Sequence, residues 1–512
     1  MKVLKNISLL VIGILLFSCE VDYLDNPNEP IVPTSGGLMT RVQKQFMNDT
    51  RDEWMSGRMS LLWVQYWNQV NYTEEDRYQY RETVNKAGWN DIYKNAQDLK
   101  DIIAINTDDA TKGDANVIAP NENQIAAARI MLAYVFQLAT DIWGDIPYYS
   151  YGNDDPDFEA LQLKDGGSIT PKYASQEKIY KDLLKELDEA QAMIIEGKNM
   201  IGADLFYDGD ASMWKKFANS LRLRIANRIK DKDATLANQH IADALAEGVY
   251  TSNDDNAGVK FENSALNGAP MYRAFVVSAR RDFAPSYSFV QLLKGNDIHV
   301  YSNPFAGLED PRLPIYVDPN GDGEYLGVPV AESNASVRTF KWESKPGAEV
   351  LSSTYKELYM EYSEICFIQS ELNGWDQTWY EYGVEASMQK WGVPQADIDA
   401  FIATLPAATE ETVMTQKYIA LYMNAYEAWS ELRRTGYPQT LIKSGDTYDY
   451  TFMADGEEQT LTYFYNTIVD LPEGPSRVKY LLNEDNINKE NKDAAVAAMG
   501  GDEMDTKMWW QP

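Results

Sequence analysis

Gln124–Trp143, reading QIAAARIMLAYVFQLATDIW, decides what kind of fold this chain can make. Ile125, Ala128, Leu132, Val135, Phe136, Ala139 and Ile142 recur at the three- and four-residue spacing that lines one face of an α-helix. The alanines let a neighbouring helix come close, and Asp145-Ile146-Pro147 ends the run, because proline cannot continue a helix. The pattern returns in Glu177–Ile194 through Tyr180, Leu184, Leu187 and Ala190. It returns again in Met213–Ile229 through Phe217, Leu221 and Ile225, interleaved with Arg222, Arg224 and Arg228. Two later helices are predicted. One is Tyr355–Leu372, closed by Asn373-Gly374; the other is Gln416–Leu432, followed by Arg433-Arg434, Gly436 and Pro438. Cations suit the carboxyl end of a helix, and glycine then proline stop it.

Between these helices, roughly 250–350 and 436–480 are rich in Gly, Pro, Asn and Tyr and show no helical period. They read as long loops with short strands, such as Tyr448–Met453 and Thr460–Phe464 around an Asp455-Gly456 turn. Tyr448, Tyr450 and Phe452 alternate onto one face of the first strand. Loops this long inside a compact domain usually carry function. No clean linker divides the body. The expected fold is a single, mainly α domain over 38–512: a tetratricopeptide-like scaffold of packed helix pairs, although the usual 34-residue consensus of such repeats is not legible.

With 512 residues, 44% hydrophobic and 24% charged, the chain has the composition of a globular protein with room for a large core. Its net charge of −32 repels phosphate backbones and so argues against nucleic-acid binding; strongly anionic glycans are disfavoured unless a local basic pocket, such as one near Arg273, Arg280 and Arg281, opposes the field. Tyr outnumbers Phe by 33 to 16, which suggests many rings with one wet edge and hints at sugar or peptide contact. Only Cys19 and Cys366 carry thiols. Cys366 sits inside Ile365-Cys366-Phe367-Ile368 and reads as a small buried hydrophobe.

The amino terminus has its own signal. Lys2 and Lys5 precede the apolar run Ile7–Phe17, too short for a membrane span at about 20 residues. Leu16-Phe17-Ser18-Cys19 then resembles the lipobox of a bacterial lipoprotein, in which the cysteine sulfur takes a diacylglyceryl group and cleavage frees its amine for a further acyl chain. Two or more chains hold a protein on a membrane where one would not. The expectation is a signal peptide over 1–18, lipidation at Cys19, and a Pro/Asn/Gly-rich tether over 19–37. No later segment is expected to span a membrane, so the lipid is the expected attachment.

Seven blocks, in order, make the chain similar to the SusD/RagB family of outer-membrane nutrient-binding lipoproteins of Bacteroidetes, especially its SusD-like branch. They are Trp89-Asn90-Asp91-Ile92-Tyr93; Ala133-Tyr134 to Trp143-Gly144-Asp145-Ile146-Pro147-Tyr148; Asp210-Ala211-Ser212-Met213-Trp214 with Phe217–Arg224; Asp310-Pro311-Arg312-Leu313; Ser363–Ile368; Glu427–Pro438; and Gly501-Asp502 to Trp509-Trp510. The chain departs from the pattern at Gln369-Ser370 and in Leu471–Arg477. The resemblance implies a tetratricopeptide-containing helical scaffold. It also implies a lipoprotein facing the cell exterior, acting as lid on a TonB-dependent SusC-like barrel and capturing oligosaccharides, or in some members peptides, without catalysis. It implies that Trp143, Trp214 and Trp429 pack helices and that Arg433-Arg434 cap and pair.

Ligand contacts do not transfer from such a resemblance and are read from the residues themselves. The densest aromatic cluster is Trp63, Tyr66, Trp67, Tyr72, Tyr78 and Tyr80, where Trp67-Asn68, Tyr72 and Arg77-Tyr78-Tyr80 combine rings for sugar faces with polar edges for hydroxyls. Trp63, Tyr66, Trp67 and Val70 also fit a core helix, while the polar Thr73-Glu74-Glu75-Asp76 points to an exposed stretch. The second candidate is Tyr272-Arg273 through Arg281 to Tyr287, whose rings and cations suit a glycan or a peptide carboxylate equally. Asp318, Asn320, Asp322 and Glu324 are spaced like the start of a calcium loop around Gly323. Pro329 stands at the twelfth position instead of the bidentate glutamate, and a tight Asx turn explains the same letters. No cofactor is otherwise expected. A surface glycosidase is the alternative of another class, but with 78 acids a pair of carboxylates at a workable separation carries no information. The only histidines, His240 and His299, lack zinc-like spacing, and no nucleophile elbow or phosphate loop appears.

Overall fold

The computed structural model describes residues 33–512 apart from 299–300, 331, 333–342 and 455. Cys19, the leader, most of the tether, His299 and the turn residue Asp455 therefore lie outside the described residues. The folded body, Ser35–Pro512, begins earlier than the composition suggested. Ser35, Gly36 and Gly37 belong to the Ser35–Thr50 helix rather than to a linker. Gly36 is there for a close approach: a Cβ on it would lie 2.6 Å from the carbonyl oxygen of Gly202. Asn106 Nδ2 donates to Ser35 Oγ at 2.9 Å.

From that start, successive helices each pack on the next: Ser35–Thr50, Glu82–Thr107, Asn121–Trp143, Gln176–Met193, Ala211–Ile229 and Ala234–Glu247. This is the expected mainly helical, tetratricopeptide-like arrangement. Side-chain oxygens fix several starts, with Asp210 accepting from Ser212 N at 2.8 Å and Asp233 from Leu236 N at 3.2 Å. The Asn121–Trp143 helix is apolar on more than one face and almost wholly buried. It is long and apolar enough to cross a membrane by length and composition, contrary to the expectation that no later segment would be. Its burial among its neighbours makes it the core helix of the body. Gly144 ends it at φ +85°, a left-handed conformation that a Cβ disfavours, and the indole N–H of Trp143 donates to Asn85 Oδ1 at 2.8 Å.

A second helical group comprises Tyr362–Leu372, Gln377–Lys390, Gln395–Ile402, Glu410–Ala420 and Ala425–Thr435. Two predicted helices are corrected here. Tyr355–Leu372 begins as a strand, Lys356–Met360, paired antiparallel with Ala257–Lys260, and only Tyr362–Leu372 is helical. Gln416–Leu432 is broken at Leu421–Asn424, where Met423 adopts φ +72°. Cys366 is fully buried, and burial pushes its thiol up to about 12, as suits an inert core residue. The hairpin appears as Thr447–Ala454 and Glu457–Phe464, with Tyr448 opposite Tyr463 and with Tyr448, Tyr450 and Phe452 buried on one face.

A lattice of buried charges joins the two helical groups. Arg224 makes a bidentate pair with Glu364 at 2.6 and 2.5 Å. Arg228 reaches Asp141 at 2.8 Å, Glu431 at 3.2 Å and Glu427. Lys417 meets Glu431 at 2.8 Å, and Arg434 bridges Glu431 and Glu371, each at 2.7 Å. Arg433 lies 3.5 Å from the Trp429 ring centroid and 4.9 Å from that of Trp510, donating to the carbonyls of Asp141 and Ser476. Trp143, Trp214 and Trp429 are all core. Five of the seven blocks that carry the family resemblance, those holding Asp141, Arg224, Glu364, Glu427 and Trp510, thus meet in one buried place, where a charge removed from water needs a partner.

Candidate functional site

The two stretches singled out for ligand contact, 67–80 and 272–287, come together. Trp67–Gln69 and Phe283–Pro285 pair antiparallel, with Trp67 opposite Pro285 and Gln69 opposite Phe283. Val70 N donates to the carbonyl of Asp282 at 2.7 Å, and Asn71 Nδ2 reaches that of Arg281 at 3.5 Å. Trp63 ends a four-residue helix, Ser60–Trp63, so the helical spacing does not extend to Trp67.

Several candidate residues hold this junction together from inside and are largely or wholly buried. Trp67 is 0% exposed; its ring packs edge-on against Phe275 at 5.6 Å and its indole N–H donates to Tyr422 Oη at 2.9 Å. Asn68 beside it is buried. Tyr78 is buried against Tyr465, and burial pushes its phenol up to about 12. Tyr287 is buried under the hairpin, stacked on Tyr448 at 5.9 Å and donating to the carbonyl of Asp449. The polar run that suggested exposure is largely folded inward. Glu75 pairs with Arg58 at 3.0 Å and with Arg81, and Gln69 N donates to Asp76 Oδ2 at 2.6 Å. Burial pushes Asp76 up to about 8 despite that hydrogen bond. Acids so placed brace a turn.

Others are half-buried and already engaged. Arg77 donates to the carbonyl of Thr73, Arg273 to Asn48 Oδ1 at 2.7 Å, and Tyr80 to Glu82 while accepting from Asn85. Tyr80 lines a shallow acidic cleft with Glu74 and Glu82. Tyr272 is half-buried against the core.

What remains open is Tyr72, 56% exposed, and Arg281. Arg280 is held by Asp282 at 2.6 Å, but the Arg281 guanidinium makes no ion pair or hydrogen bond among the described residues. Arg281 lines a cleft of about 200 Å³ with Phe275, Val276, Lys345, Pro346 and Leu351. The chain reaches it through a π-helical turn, Arg273–Val277, in which Ser278 N donates to the carbonyl of Arg273. Such turns re-aim side chains and are frequent at functional sites; here Val276 and Val277 are pushed outward. Lys345 and Pro346 were not foreseen, since their position depends on pairing with Val317–Asp318, and Val276 was not, since the π-helical turn sets its direction. An apolar floor beside two cations can take a ligand with one greasy face and an oxygen-rich edge.

The Asp318–Glu324 segment folds as an Asx turn. Asn320 Oδ1 accepts from the backbone N–H of Asp322 at 3.0 Å and of Glu324 at 2.9 Å, and Asp318 Oδ1 accepts from Ala348 N. Its one amide oxygen is thereby committed to the loop itself. Among the described residues no three Asp, Glu, His or Cys side chains converge as a metal site would need.

A family profile described as "Starch-binding associating with outer membrane" matches residues 27–456, and one described as "Susd and RagB outer membrane lipoprotein" matches residues 406–511. No curated protein matches the chain. Among solved structures, a chitin-binding protein is 27% identical at a TM-score of 0.74, covering 94% of this chain and 100% of that one. A chitin-binding SusD homologue from Flavobacterium johnsoniae is 25% identical at 0.70, covering 93% and 98%. A SusD-like protein from Bacteroidetes AC2a, 21% identical at 0.73 over 94% and 100%, shares the fold. The chain is a member of the SusD-like family of outer-membrane lipoproteins of Bacteroidetes.

Proposed function

We propose that this protein captures oligosaccharides at the cell exterior and serves as the lid of a SusC-like TonB-dependent barrel, held to the outer membrane by lipid on Cys19. The observation that carries the reading is the likeness, along nearly the whole chain, to two structures described as chitin-binding. It makes oligosaccharides of N-acetylglucosamine the first ligands to try. The cleft at Phe275, Arg281 and Lys345 supports a sugar in chemical terms: Phe275, Val276 and Leu351 suit the C–H face of a pyranose, and the two cations suit its oxygens. The same cations suit a peptide carboxylate, so a peptide-binding lid is the second reading. The protein is read as a non-catalytic binder. The Asp318–Glu324 loop is left as a candidate structural calcium site, which calorimetry on chelator-stripped protein tests directly; a flat titration dismisses it.

Binding is tested by calorimetry of the mature chain with hexa-N-acetylchitohexaose beside a mixed peptide pool. Heat with the sugar and none with the peptides is expected; the reverse transfers the protein to the peptide-binding branch. Release of new reducing ends over a long incubation would move it to the glycosidases. Anchoring has its own test. Cys19→Ala should abolish palmitate incorporation and move the protein out of the membrane fraction, and mild-detergent purification of wild type should bring down a large β-barrel. A wild-type chain without label, in the soluble fraction and without a barrel sinks the anchoring and lid roles together.

A further inference from the structure

A local basic pocket near Arg273, Arg280 and Arg281 is the feature that would let a chain of net charge −32 accept an anion. Two of the three arginines are already taken. Arg273 donates to Asn48 Oδ1 at 2.7 Å, and Arg280 is held by Asp282 at 2.6 Å. Arg281 is left, exposed, on the wall of the cleft of about 200 Å³, and the exposed Lys345 joins it there. The strands Phe283–Pro285 and Lys345–Pro346 pack against each other, which brings two cations distant in sequence to one opening.

Arg281 stands apart from the other arginines. Among the described residues it is the one arginine whose guanidinium makes neither an ion pair nor a hydrogen bond. The Lys345 ammonium makes none among them either. No carboxylate among the described residues lines the cleft. The acids beside it serve other groups. Asp282 holds Arg280 and lies 3.7 Å from Arg58, while Asp318, opposite Lys345 in the strand pair, accepts from Ala348 N at 3.2 Å. In a chain with 78 acidic and 46 basic residues, two unmatched cations in one cleft without an acid run against the composition. Water solvates them at little cost, so both stay available to whatever enters.

The rest of the wall indicates what that is. Phe275, Val276, Pro346 and Leu351 make an apolar side, and Val276, on the π-helical turn, is 52% exposed. A ring with C–H groups on its face suits that side. Neutral hydroxyls can accept from the cations, but a carboxylate accepts charge-assisted bonds about twice as strong, and its two oxygens match the guanidinium fork. A sugar ring that carries a carboxylate meets both halves of the wall.

We propose that this cleft selects a hexuronate: the pyranose packs on Val276 and Leu351 while its C5 carboxylate accepts from Arg281 and Lys345. The proposal rests on the glycan-binding reading above and sharpens it. A neutral N-acetylhexosamine chain still enters the cleft, but binds more weakly than one containing acidic units.

The test is calorimetry of the mature full-length chain at neutral pH. The probes are a hyaluronan hexasaccharide, which alternates N-acetylglucosamine with glucuronate, and tetragalacturonate, each beside its carboxyl-reduced form. Reduction turns each carboxylate into a hydroxymethyl group and leaves the linkages alone. Wild type should bind at least one native hexuronate about tenfold more tightly than its reduced form, the order expected for a charge-assisted contact. Arg281→Ala and Lys345→Gln should close most of that gap without moving the thermal melt, because both side chains are exposed and unpaired. Native and reduced forms bound alike, or hexa-N-acetylchitohexaose bound while both hexuronates are not, overturns the acidic unit and leaves the glycan reading standing. A gap that persists in both variants also overturns it, since the carboxylate is then held elsewhere. No heat with any of the sugars overturns the glycan reading and this proposal together; heat with a mixed peptide pool would then assign the cations to a peptide carboxylate.

Discussion

Arg228, between the two helical groups, pairs with Asp141, Glu427 and Glu431, whereas the guanidinium of Arg281, beside the exposed Tyr72, makes no ion pair or hydrogen bond among the described residues. Both are guanidiniums in a chain of net charge −32, so composition alone cannot tell them apart. Burial does. Inside, each charge must be matched, and the lattice from Arg224 through Arg434 matches them with carboxylates from helices distant in sequence. Outside, an unmatched cation costs little because water solvates it, and it stays available to a ligand. The first kind of charge specifies the fold; the second can serve recognition.

The sharpest way to break this contrast is to delete a shared carboxylate. Glu427→Ala leaves Arg228 and Arg224 without a partner they now share, and the stability lost should be about 3–5 kcal/mol, the usual cost of an orphaned buried charge. Urea denaturation measures it. A loss under about 1 kcal/mol would mean that water reaches the lattice and that the two regions differ less than their burial indicates.

A buried acid with too little pairing gives a smaller, pH-dependent effect. Glu357 sits in the Lys356–Met360 strand opposite Val259, its Oε1 without a hydrogen-bond partner among the described residues, and burial pushes it up to about 8 although the Arg51 charge opposes this. Its folded pKa lies above the unfolded value of 4.5, so the native state binds the extra proton. That contribution is fully present below about pH 4.5 and is lost as pH rises toward 8. Glu371 works in the opposite direction. Burial would raise it, but Arg434 outweighs burial and holds it at about 2, so its contribution is present above 4.5 and lost as pH falls toward 2. Glu357→Gln should therefore match wild type near pH 5 and exceed it by about 2 kcal/mol near pH 8. Denaturation midpoints at the two pH values decide it; equal differences at both would mean that Glu357 is ionised and hydrated throughout.

The helices were legible because periodicity is local: Gln124–Trp143 and Met213–Ile229 lie within a few residues of their structural bounds. The errors came where local letters mislead. Lys356-Glu357-Leu358-Tyr359-Met360 forms a strand because Ala257–Lys260 lies beside it, and that pairing spans about a hundred residues. Leu421-Tyr422-Met423-Asn424 breaks a helix with neither glycine nor proline to announce it. At the candidate site, aromatic density picked out two stretches that the fold brings together, but several of the rings it singled out are buried. Trp67, Tyr78 and Tyr287 are buried by tertiary partners, Tyr422, Tyr465 and Tyr448, that lie far along the chain, while Tyr72 and Arg281 stay out. Lys345 carried no local signal, since a cleft is made by tertiary contact.

The smallest expected change in stability tests the surface half of the contrast. Arg281→Ala removes a side chain without a partner among the described residues, so the denaturation midpoint should stay within about 0.5 kcal/mol of wild type. Its affinity for hexa-N-acetylchitohexaose should nonetheless fall about tenfold, the order expected for one charge-assisted hydrogen bond. Arg281→Lys keeps the charge but not the fork of donors, and should recover part of that loss. Tyr72→Ala, exposed and adjoining, should likewise leave stability alone and lower affinity less. A stable Arg281→Ala that binds as wild type does would leave the cleft cations as ordinary solvated charges. A destabilised one would show that Arg281 belongs with Arg228, holding the fold through partners beyond the described residues.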